Sequence, residues 1–166
     1  MNKDEIYREL HNTDINHCFG CGPSNNFGLQ MKFHTDGEAA YSWLSLPEHM
    51  GGWQKIAHGG IVCTILDEIM SWAALYLLKK ITLTNSMTVD FIKAVPVNEK
   101  LRAEGRVLEY NGKHTALLEG FLYNQQDELC AKSKADFNVL SPKMAKRIGI
   151  VNDEHLKEFF EPLINR

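Results

Sequence analysis

HGGIVCTILDEIMSWAALYLLK, from His58 to Lys79, is the stretch whose reading decides the fold. No proline interrupts it, and glycine occurs only at its start. Ile61, Ile65, Leu66, Ile69, Trp72, Ala73, Tyr76 and Leu77 recur at helical spacing. The spacing predicts one helix over 59–79. Its apolar residues cover most of the circumference, so it is expected inside the protein, wrapped on several sides, and not laid on a surface.

On either side the period changes to two. Downstream, Met87, Val89 and Phe91 alternate with Ser86, Thr88 and Asp90, and Leu101, Ala103 and Val107 with Arg102, Glu104 and Arg106. Residues 114–123 form another run, and 129–139 alternate again, with Asn111-Gly112 and Asn124 to Asp127 as turns. Upstream, 29–35 and 38–46 read as two strands around Asp36-Gly37. Each strand has one apolar and one wetter face. A hairpin, one buried helix and four consecutive strands fit an α+β architecture: five or six antiparallel strands wrapped around one long central helix. Residues 1–16 are expected as an N-terminal helical extension, with a short amphipathic helix at 3–11. Residues 17–140 form the domain, and 141–166 a C-terminal helical extension.

Two glycines at a helix start leave the first-turn N–H groups open to a polarised carbonyl oxygen. Nine residues after His58, Asp67 places a carboxylate in a mostly apolar helix, a costly position unless the group is partnered or functional. Glu68 falls on the Thr64–Ser71–Leu75 stripe, nearer an expected solvent edge. His58 and Asp67 stand roughly 13.5 Å apart along the axis and half a turn around it, so they cannot meet within one chain. A catalytic use of both requires an oligomer with antiparallel neighbouring helices.

The string from His58 to Glu68 resembles the H-G-G-x-x-x-x-x-x-D-E helix motif of hotdog-fold acyl-CoA thioesterases, in the branch typified by the bacterial phenylacetate-pathway enzyme. Gly51-Gly52-Trp53-Gln54-Lys55-Ile56-Ala57 resembles that branch's approach loop, and the run from Cys18 to Leu29 its N-terminal signature. Val89 to Ala94 resembles its strand ending in an aromatic, a basic residue and a proline, with Ala94 in place of the proline. The resemblance covers roughly 17–140. It implies hydrolysis of an acyl-CoA to free acid and CoA. Gly59 N–H would polarise the carbonyl. Asp67 would act as general base or nucleophile. His58 would hold the thioester, and Thr84, with Ser86 as alternate, would place water or the carboxylate. Gly60, Gln54 and Trp53 would line the substrate site. Lys93, Lys113 and His114 are candidates for the phosphates of CoA. The acyl group would lie near Trp53, Met70 and Trp72. One departure stands out: where many relatives carry an asparagine six residues before the histidine, this chain has Gly52, and Gln54 is the nearest amide.

The 166 residues carry a net charge of −3, which argues against general nucleic-acid binding. No apolar run is expected to approach the ~20 residues of a membrane span, and Met1 to Glu9 lacks the apolar core of a signal peptide. Cys18, Cys21, Cys63 and Cys130 show no disulfide framework, so a reduced, cytoplasmic setting is expected. Cys18-x-x-Cys21 has no second Cys/His pair at zinc-site spacing, so no metal and no cofactor are expected. The expected partners are the acyl-CoA and further copies of the chain, as a homodimer or a dimer of dimers. The competing readings are a hotdog hydratase or dehydratase, and a non-catalytic acyl-CoA-binding protein.

Overall fold

A computed structural model describes residues 6–165. Helix α1 runs Gly59–Leu77. His58 caps it: its extended backbone leads in, and its Nδ1 accepts the Gly60 N–H. Lys79, at φ 53°, closes the far end in the left-handed region. Val62, Ile65, Leu66, Ile69, Met70 and Ala73 form the buried face.

A seven-stranded antiparallel sheet curls around this face. Its strands are β1 (Arg8–Glu9), β2 (His34–Thr35), β3 (Ala40–Ser45), β6 (Ile81–Phe91), β7 (Lys100–Tyr110), β8 (Thr115–Tyr123) and β9 (Leu129–Leu140), in the order β1-β2-β3-β7-β8-β9-β6. A separate hairpin, β4 (Gly51–Trp53) with β5 (Ile56–Ala57), leads into His58. The expected antiparallel sheet around one helix is what forms, with two short strands more than the five long ones.

The turns form as their chemistry dictates. Asp36 Oδ1 accepts the N–H groups of Glu38 and Ala39, and Asn111 Oδ1 those of Lys113 and His114. The helix lies close on the sheet because β7 carries Gly105 beneath it: a Cβ there would stand 2.4 Å from the Ile69 carbonyl oxygen.

Three expectations are corrected. Within the expected helix 3–11, Arg8–Glu9 is a strand paired to Thr35 and His34; residues 1–5 lie outside the described residues. An isolated short helix is marginal, and an open strand edge outcompetes it. Of the expected strand 29–35 only His34–Thr35 joins the sheet. Leu29 and Met31 instead donate to the carbonyls of Phe19 and Gly20, 2.8 and 3.0 Å away. Helix α1 is also long and apolar enough to cross a membrane by length and composition, with 19 residues at mean hydropathy 1.4; in this fold its apolar face packs on the sheet.

The C-terminal residues are helical: α2 (Pro142–Arg147), α3 (Asp153–His155), a π-helical turn Leu156–Phe160 and α4 (Glu161–Ile164). Phe159 packs edge-on to Trp72, and Phe160 and Leu163 are buried. The C-terminal helices meet the start of β6 at Ile81; beyond it β6, at one edge of the sheet, is eleven residues long, has one neighbour and is largely exposed.

Candidate active site

Asp67 sits half-buried on α1 where the helix faces the free edge of the sheet. Thr84 Oγ1, on β6, donates to Asp67 Oδ1 at 2.6 Å. The hydroxyl faces inward because Thr84 pairs with the buried Phe137. A bulge at Asn85 then shifts the register, so Ser86 pairs with Asp136 and turns its hydroxyl 3.3 Å from that carboxylate, on the other face. Of the two hydroxyls read from the sequence, only Thr84 reaches Asp67.

At the other end of the face, Gly59 is exposed and its N–H meets no acceptor among the described residues. The neighbouring Gly60 N–H is held by His58 Nδ1 at 3.0 Å, so His58 serves first as a cap. The ring of Phe91, the aromatic of the Val89–Ala94 motif and not among the expected site residues, closes one side of Gly59, 3.6 Å from where a Cβ would stand. A groove of about 360 Å³ opens there between Gly59, Val62, Phe91, Ile92, Lys93 and Val95. Lys93 pairs with Glu128 at 2.6 Å, with both side chains half-exposed. Trp53, 83% exposed, and Gln54 sit at the tip of the β4–β5 hairpin. Gly52 backs directly on His58: a Cβ there would stand 3.1 Å from the His58 Cα, a tight fit, and the position carries no amide.

Lys113 and His114 belong to the β7–β8 turn. Thr115 and Leu83 flank Asn138 from opposite sides, so this turn lies at the Thr84 end, while Lys93 lies past Phe91 at the other. One chain does not bring Lys93 and Lys113 together. Met70 and Trp72 do not line the groove: Met70 is fully buried, and Trp72 stacks on Phe33 with ring centroids 4.3 Å apart. Large apolar side chains on the helix are claimed by the core first.

Glu68 is not at a solvent edge. The loop carrying Cys18 and Cys21 lies over it, and Cys18 Sγ stands 3.1 Å from Glu68 Oε1. Burial pushes the Glu68 carboxyl up to about 8, with the neighbouring Cys18 charge adding to the effect. The Cys18 thiol falls to about 5, mainly through a hydrogen bond from Cys21, while the Cys21 thiol is raised. Nothing in the spacing of the sequence announces a contact between residues 18 and 68.

Residues 54–131 match the family model described as the thioesterase superfamily. Curated proteins give no match. Among solved structures, a thioesterase superfamily protein aligns over 74% of this chain at TM-score 0.67 and 19% identity; the alignment spans 60% of that protein's length. A hypothetical thioesterase from Streptococcus pneumoniae, crystallised with coenzyme A, aligns over 63% of this chain and 80% of its own, at TM-score 0.59 and 18% identity. The PaaI protein of the Escherichia coli phenylacetic acid degradation operon aligns over 61% of this chain and 76% of its own, at TM-score 0.57 and 20% identity. At these identities the structures speak to the fold alone, and the family match to the segment it spans. Residues 54–131, which hold α1 and strands β6 to β8 and end at the start of β9, match the thioesterase superfamily model, and the fold around them is the hotdog fold.

Proposed function

We propose that the protein is a thioesterase that hydrolyses an acyl-CoA to free acid and CoA, in sites shared between two copies of the chain. The observation that carries this reading is the Asp67–Thr84 pair, a carboxylate oriented by a hydroxyl at 2.6 Å on the half-open side of the core helix. The hydrogen bond occupies Oδ1 and leaves Oδ2 for water. Asp67 takes a proton from that water, the water oxygen attacks the thioester carbonyl carbon, and the oxyanion is held by a Gly59 N–H. The tetrahedral adduct then expels the CoA thiolate, which takes the proton from Asp67. The coenzyme A bound to the S. pneumoniae relative supports CoA as the carrier.

The free edge of β6 supports the dimer. An exposed strand edge invites pairing with a copy. Thr84 touches Asp67, Phe91 touches Gly59, and the two lie seven residues apart on β6, roughly 23 Å. Antiparallel pairing of β6 with its copy, centred on Thr88, sets Phe91 of one chain opposite Thr84 of the other, because the bulge at Asn85 takes up one residue. Gly59 then approaches a foreign Asp67, and Lys93 a foreign Lys113 and His114, which gathers the candidate phosphate contacts at one site.

The test is release of free thiol from a panel of short, long and aromatic acyl-CoAs, with Asp67→Asn beside the wild type. Turnover that falls in Asp67→Asn by about two to four orders of magnitude supports the reading. Acyl-CoA binding with no thiol released by the wild type overturns it in favour of a binding protein.

A further inference from the structure

Three groups at the back of the helix have no part in the proposed hydrolysis. Cys18 Sγ, Cys21 Sγ and a Glu68 carboxylate oxygen lie within 4.8 Å of one another. We propose that they form a binding site for a single thiophilic divalent cation, zinc by preference, which clasps the N-terminal loop to the core helix beside Asp67.

The donor set suits the ion. Zinc takes thiolate and carboxylate ligands at roughly 2.3 and 2.1 Å, which places tetrahedral donors roughly 3.6–3.8 Å apart. The Cys18–Glu68 contact of 3.1 Å needs to open by about half an ångström to reach the sulfur–oxygen spacing of a tetrahedral site. The surroundings already treat the sulfurs as acceptors: Gly20 N–H donates to Cys18 Sγ and Asn16 Nδ2 to Cys21 Sγ, both at 3.3 Å. Such N–H···S contacts orient and stabilise thiolate ligands. Asn16 Oδ1 also accepts the Cys18 N–H at 3.0 Å, so one side chain braces both cysteines.

The charge balance points the same way. Glu68 sits under the loop, and among the described residues no lysine, arginine or histidine forms an ion pair with it. A covered carboxylate facing two thiols is expensive unless protons or a cation are shared among the three. The loop is also shaped to reach it. Gly20 lies flat on the Glu68 side chain, where a Cβ would come within 2.1 Å of Cγ. With three protein ligands, the fourth position faces the adjoining cavity of about 240 Å³, whose wall includes Trp72, Leu75 and Phe159, and is left to water.

The inference is independent of the thioesterase reading, and its test needs no turnover. Full-length protein, purified with reductant and stripped with chelator, is titrated with Zn²⁺ and Co²⁺. The expected result is one equivalent per chain, a near-ultraviolet sulfur-to-cobalt charge-transfer band, and a melting temperature that rises with metal. Cys18→Ala and Cys21→Ala should each lose affinity by more than about a hundredfold, beyond what loss of an outer partner costs. Glu68→Gln should lose at least tenfold while keeping the sulfur bands. Cys63→Ser, outside the cluster, should bind as the wild type does. Circular dichroism checks folding, and if Cys21→Ala fails to fold, Cys18→Ala and Glu68→Gln decide. Absence of uptake by protein whose four thiols all titrate would overturn the proposal. So would uptake that persists in folded Cys18→Ala, or a mass two hydrogens lower that marks a Cys18–Cys21 disulfide in reductant-treated protein.

Discussion

Replacing Gly59 by proline removes one N–H and little else. Proline is well tolerated at the first position of a helix, where the missing N–H has no intrahelical acceptor. Gly59 holds that position, and its N–H has no acceptor among the described residues. The residue before a proline must be extended, and His58 already is, at φ −64° and ψ 136°. The built Cβ meets only the edge of Phe91 at 3.6 Å, an ordinary contact. Stability should therefore hold, or rise by about 0.4–1 kcal/mol as the unfolded chain loses freedom. Loss of one oxyanion donor should raise the barrier by about 2.7–4 kcal/mol, a fall in kcat of roughly 10²–10³. The two effects have opposite signs, so misfolding cannot imitate the result. Thiol release from a good acyl-CoA, measured with a melting curve on the same sample, reads both. A folded Gly59→Pro protein with near-normal kcat would refute Gly59 as the oxyanion donor.

The shared site makes its own prediction. Mixed after co-refolding, Gly59→Pro and Asp67→Asn chains should recover about a quarter of wild-type turnover, because half the dimers are mixed and each carries one intact site; no recovery, or a fully active monomer in sedimentation, contradicts the interface. Thr84→Val should lower kcat with an intact fold, whereas Ser86→Ala, on the opposite face, should leave it unchanged; equal effects would count against the Asp67–Thr84 pair. Gly105→Ala forces the helix off the sheet against the Ile69 carbonyl at 2.4 Å and should cost about 1–3 kcal/mol, visible as a fall in Tm of about 2–4 °C per kcal/mol. In chelator-treated protein Cys18, lowered from 9.0 to about 5, is a thiolate above that value, so its alkylation rate should stay flat from about pH 6 to 8; a rate climbing tenfold per pH unit there would place its pKa where an unassisted thiol has it.

The period of the apolar residues was enough to draw the helix, the four long strands after it and the two Gly-centred hairpins, because each is a local preference repeated over many residues. Asp67 and the Gly59 end were legible for a related reason: a carboxylate in an apolar helix and glycines at its start depart from the pattern around them. Short elements were not legible. Whether Arg8–Glu9 pairs, and whether 29–33 enters the sheet, depends on which distant edge offers hydrogen bonds, and two residues of pattern cannot tell. The choice between Thr84 and Ser86 turned on a bulge at Asn85 that no alternation reveals. Tertiary structure alone decided the fate of Glu68. Helical spacing put it one step from Asp67 and nearer water, but what covers a helix face is set by chain arriving from elsewhere, here a cysteine loop fifty residues earlier that glycine at position 20 lets settle onto the carboxylate.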